Sequence, residues 1–101
     1  SDLSDANLQG ANLSNTILMN ATMGNANLKL ANLSNANLIE ASLSFANLSE
    51  ANLQMADLRL AALVGTNLIK ADLRNATLEG ATYTRAQFNG ANLSGVRGYF
   101  I

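Results

Sequence analysis

Cysteine and histidine are both missing from this 101-residue chain. Without cysteine there is neither a disulfide nor a thiolate metal site, and the redox compartment leaves no mark on the sequence. Without histidine the commonest general base and the commonest metal ligand are gone. Charge of one sign is also lacking: six basic and seven acidic side chains leave a net −1. No long-range field therefore draws nucleic acid, an anionic membrane or a basic partner. No apolar run approaches the roughly 20 residues that span a bilayer. No secretory leader is visible, and because the chain opens at Ser1 rather than Met, a processed or trimmed start is expected. The length suits one domain rather than two.

What the chain has in abundance is a period of five. From Leu3 to Leu93 every fifth residue is large and apolar, nineteen positions without an insertion. Two residues before each stands a small side chain, Ala in sixteen cases and otherwise Ser1, Thr16 or Thr66. One residue before each, twelve of the nineteen are Asn or Asp. The unit reads Ala-Asn-Leu-x-x.

Neither regular element buries this pattern. Five residues turn a helix by about 140° beyond a full turn, which scatters the Leu column around it. In a continuous strand an odd period sends successive Leu residues to opposite faces. The pattern works when the chain turns a corner once per unit. Leu then points inward each time, the small residue two before it shares that inward parity, and Asn and the residue after Leu point outward. Coils closed in this way stack by backbone hydrogen bonds at about 4.8 Å. The architecture is a solenoid, with each coil burying its apolar surface against its neighbours.

The run ANLSNANLIEASLSFANLSEANLQMADLRL resembles the pentapeptide-repeat family, A(D/N)Lxx, and the likeness covers residues 1–95. That resemblance implies an all-β solenoid, a right-handed quadrilateral parallel β-helix with four units per coil. It implies about five coils and a stack roughly 25 Å tall. Residues 96–101 leave the repeat and form an apolar tail or cap.

The expected core is Leu28, Leu33, Leu38, Leu48, Leu53 and Leu58, with Tyr83 and Phe88 filling the last coil. The Asn column should stabilise corners by hydrogen bonds to backbone or between coils. A twenty-residue wrap stacks Glu50 on Lys70 and Arg59 on Glu79, two expected surface ion pairs worth about 0–1 kcal/mol each. The first coil carries no cap, which points to a trimmed start or an end-to-end partner. At the other end Gly98 stands where the next Leu belongs. Tyr99, Phe100 and Ile101 then either cover the last coil or meet a partner, and a homodimer through this end is the expected oligomer.

No catalytic constellation emerges. A nucleophile would need Ser with Lys or paired carboxylates. Lys29 stacks on Ser49, yet both should be outward and solvated. The seven acidic residues occupy seven different columns of the wrap, so no paired-carboxylate site or calcium ladder forms. The glycines make no phosphate loop and fit corners. No cofactor and no metal are expected.

Outward apolar residues are the functional hint. Ile17, Met19 and Ile39 share one face, Phe45 and Val64 share one corner, and Leu30, Met55, Leu60 and Ile69 are dispersed. The sequence reads as a non-enzymatic scaffold or protein-interaction module, with a protein partner and neither nucleic acid nor membrane. The alternative implied by the family resemblance is a DNA-mimicking inhibitor of gyrase, of the quinolone-resistance type. Mimicry needs acidic columns at phosphate-like spacing, which this charge pattern lacks. The expected compartment is the cytoplasm, weakly favoured for a chain read as soluble.

Overall fold

The structure is a computed structural model that describes residues 2–98. The chain winds as a four-sided coil of twenty residues per turn. Sixteen parallel bridges tie each Asn-column residue to the one twenty positions on, from Asp2 with Thr22 to Thr77 with Arg97. The register never slips, because a slip of one residue would turn every Leu out of the core.

Backbone donors are accounted for unit by unit. The small residue donates back to the preceding Leu carbonyl, as Ala31 does to Leu28 at 3.0 Å, and closes the corner. The next N–H reaches the previous coil, Asn32 to Ala11 at 2.9 Å. Leu33 donates to Asn52 of the following coil at 2.7 Å, and Asn35 to Gln54 at 2.9 Å. The residue directly after Leu is the one left over, and side chains take it up.

Each corner is a turn whose third residue is left-handed. All nineteen positions from 5 to 95 at intervals of five have φ between +58° and +74°. None carries a β-branched residue, the type least tolerant of this conformation. Five are Gly and six are Asn or Asp.

The interior is a stack of side chains. Met23 and every fifth residue from Leu28 to Leu78 are fully buried at 0% exposure, each flanked by a buried Ala or Thr66. Each such Leu contributes about 1.5–3 kcal/mol of burial. Thr66 is buried without penalty, since its hydroxyl donates to the Leu43 carbonyl at 2.7 Å.

The ends differ from the middle. Leu3, Leu8, Leu13 and Leu18 are half-buried, and so are Tyr83, Phe88, Leu93 and Val96. Tyr83 and Phe88 meet edge to face at 6.1 Å and 85°, packed on the core rather than enclosed by it. A terminal coil has a neighbour on one side only, so the two aromatics stay half-buried at the end of the core, which they help to cover. Gly98 is held close to the backbone, for a Cβ there would lie 2.6 Å from the Glu79 nitrogen. Tyr99, Phe100 and Ile101, expected as cap or partner contact, lie outside the described residues.

Candidate interaction surface

The rod shows four faces, each defined by one outward column. The second face carries Asn7, Asn27, Asn47, Asn67 and Gln87. The third carries Asn12, Asn32, Asn52, Asp72 and Asn92, and the fourth Ile17, Asn37, Asp57, Thr77 and Arg97. The first face is different in kind, with Asp2, Thr22, Ser42, Ala62 and Thr82.

Asn and Asp take up the donor left over at each corner. All twelve of them in the column accept, through Oδ1, the N–H two residues ahead; Asn52 to Gln54 is 3.0 Å and Asn67 to Ile69 is 3.0 Å. This is an Asx turn, in which the side chain imitates a backbone acceptor. The amides act mainly within their own unit. Bonds across coils are fewer, such as Asn27 Nδ2 to Gln9 Oε1 at 3.2 Å and Gln54 Nε2 to Asp72 Oδ2 at 2.9 Å. On the first face Asp2 braces its corner in this way, while Ala62 has no side-chain acceptor to offer.

Charged groups pair locally too. Arg59 grips Asp57 at 2.7 Å and Arg74 grips Asp72 at 2.7 Å, each from two residues away. The Arg59 hydrogen bond is the chief cause that holds the Asp57 carboxyl below the usual range, and Arg74 does the same for Asp72. Asp2 is lowered first by the Ser4 backbone N–H. The expected pair of Arg59 with Glu79 is thus replaced, and Glu79 adds only the weakest pull on that guanidinium. Glu50 and Lys70 are in register but make no ion pair; among the described residues the ion pairs are those two Arg–Asp forks. A side chain two residues away on the same outward surface is reached with less ordering than one on the next coil.

The nominated Lys29–Ser49 stack holds no dyad, because the Ser49 hydroxyl donates to Asn47 Oδ1 at 2.7 Å. Among the described residues no pocket opens and no three potential metal ligands cluster. No helix is long and apolar enough to cross a membrane.

The nominated apolar residues divide. Ile17 is 80% exposed, Met19 45% and Phe45 60%. Ile39 and Val64 are half-buried, each between its corner neighbours one coil away. Leu30, Met55 and Leu60 are exposed and, rather than being dispersed, share the left-handed turn position with Phe45. The enrichment of Gly, Asn and Asp at every fifth residue was the signal for that position.

Side chains at that position lean toward the next coil. The Phe45 ring lies over Gly65, where a Cβ would come within 2.6 Å of Cε1. Leu60 lies over Gly80 in the same way, with Cδ2 at 2.7 Å from such a Cβ. Glycine twenty residues on makes room for the bulky side chain.

A family model for pentapeptide repeats matches residues 1–35, 26–63 and 61–97. A pentapeptide repeat protein of Nostoc is 39% identical with a TM-score of 0.80, over 95% of this chain and 83% of that one. One from the Arabidopsis thaliana thylakoid lumen is 36% identical with a TM-score of 0.77. The alignment covers 94% of this chain and 63% of the Arabidopsis protein, so the chain spans less than two thirds of that relative. One from the cyanobacterium Cyanothece is 34% identical with a TM-score of 0.55, over 90% of this chain and 63% of that one. No curated protein matches the chain. With four units per coil, an unbroken Ala-Asn-Leu period and these relatives, the chain is a right-handed quadrilateral β-helix and belongs to the pentapeptide repeat family.

Proposed function

We propose that the chain is a non-enzymatic scaffold whose rod presents side chains to a protein partner. The observation that carries this reading is the placement of Leu30, Phe45, Met55 and Leu60. Each holds a left-handed φ of +60° to +62°, and each is 53–61% exposed. A non-glycine residue in that conformation costs about 1–2 kcal/mol. Exposure returns little of that through burial. Residues kept against local stability are expected where a surface is used. The frame beneath them is ordered before binding, which lowers the entropy lost on association.

The test is retention of native-source proteins on the immobilised rod, compared with Phe45→Asn and Leu60→Asn variants. Asn suits the turn conformation, so both variants keep the coil. Proteins held by the unaltered rod and lost from the variants are the expected result. Identical retention by all three would overturn the reading. A gyrase supercoiling assay separates it from DNA mimicry. The seven acidic residues stand in seven columns, so no inhibition is expected at low micromolar protein. Potent inhibition would replace the scaffold with a DNA mimic.

A further inference from the structure

The first face is the flat one. Its outward column is Thr22, Ser42, Ala62 and Thr82 beyond Asp2, side chains that barely rise above the backbone. Apolar flanks border its middle. On one edge Leu60 leans over Gly80, and on the other the Phe45 ring covers Gly65 beside half-buried Val64. Ala62 lies between them. Toward the C-terminal end the same two edges carry opposite charges, Glu79 beside Gly80 and Arg85 on the Gly65 column. Neither enters an ion pair among the described residues.

We infer that a second copy of this chain docks on this face, the two rods lying parallel about a two-fold axis that runs along their length. Such an axis exchanges the two edges and preserves height. Height follows residue number, one coil of about 4.8 Å for every twenty residues. Phe45 leans over Gly65 and Leu60 over Gly80, so the Phe45 ring and the Leu60 side chain of the second copy differ by roughly 3.6 Å in height, within reach of an aromatic ring. Glu79 and Arg85 differ by about 1.4 Å, so each acid meets the opposing base. Both contacts occur twice, as an isologous interface requires. The antiparallel arrangement keeps each edge on itself. It sets Glu40 against Glu79 of the second copy, two like charges, and is disfavoured.

Two features limit the affinity. With principal extents of 29 × 26 × 22 Å, one face offers only on the order of 500 Å² per copy, below the ~800 Å² of a standard interface. The parallel axis also brings Asp2, at the N-terminal rim of the same column, toward its own copy. The dimer is therefore weak and strengthens when that charge is removed. This inference rests on the interaction-module reading and names the partner as self.

The experiment is sedimentation equilibrium of the full chain up to about 500 µM, where dimers with micromolar dissociation constants are populated. The expected result is reversible monomer and dimer. Ala62→Asn inserts a side chain at the centre of the face while providing the acceptor that its corner lacks, so it folds and raises Kd roughly tenfold or more. Phe45→Asn does the same. Arg85→Glu weakens association, and Glu79→Arg combined with Arg85→Glu restores it. Asp2→Asn keeps the Oδ1 acceptor and lowers Kd. A chain that stays monomeric throughout overturns the inference. So does a dimer insensitive to all these substitutions, including one abolished by deleting residues 99–101. A monomer that still retains other proteins through Phe45 would overturn self-association and leave the scaffold reading standing.

Discussion

The first and third faces share one backbone and differ in one column of side chains. Both stack through the same three backbone hydrogen bonds per unit and close each corner with a fourth, and both cover fully buried Leu. On the third face all five column residues, Asn12, Asn32, Asn52, Asp72 and Asn92, fold an oxygen back onto the corner. On the first face Thr22, Ser42, Ala62 and Thr82 occupy the column instead of Asn or Asp, and Asp2 alone of that column is of the Asx type. The lesson is that the coil is held by what points inward, while the outward column is free to serve either the corner or a surface. A column of Asn favours stability. A column of small residues flattens the face and exposes whatever the neighbouring corners carry.

The largest effect should ignore the comparison altogether. Leu53→Ala, in the middle of the stack, leaves a cavity beneath all four faces and should cost roughly 2–5 kcal/mol in urea titration. Unchanged stability would mean that the stack is not the source of the fold. Asn52→Ala removes one brace from the third face and should cost about 1 kcal/mol. Ala62→Asn is the mirror experiment. It gives the first face an acceptor for the Val64 N–H and should raise stability by up to about 1 kcal/mol. If Asn52→Ala is neutral, or Ala62→Asn destabilises, the two faces do not differ in the way described.

The smallest effect separates brace from ion pair. Asp57→Asn keeps the Oδ1 acceptor for Arg59 N–H and loses the charge. Near neutral pH its thermal midpoint should stay close to that of the unaltered chain, since the pair is solvent-exposed on the Arg side. Acid should reveal the difference. Asp57 and Asp72 titrate lower in the folded chain, held down chiefly by Arg59 and Arg74. Their contribution is present above the unfolded carboxyl value and is lost as pH falls below about 4. The double variant Asp57→Asn with Asp72→Asn should lose less stability on acidification. An identical acid response would remove the two forks from the account.

The inward half of the molecule was written in the order of residue types. A period of five cannot be a helix or a strand face, so Leu28 through Leu78 had to meet in a coil, with Ala wherever two backbones approach. The Asn column was equally legible as a corner device. Its partner was not, because choosing between the unit's own N–H and the next coil requires the turn geometry. The same applies to Arg59. Stacking at n+20 nominated Glu79, while the structure gives it Asp57, two residues away and already on the same side of the chain. The left-handed residue at each corner had left its trace in Gly, Asn and Asp at every fifth place. The consequence for Phe45 and Leu60 had not, since the lean of a side chain over Gly65 or Gly80 exists only once coils are stacked. Burial is a property of a residue and its period, and composition carries it. The shape of an exposed face depends on side chains twenty residues apart, and only the wrap brings them together.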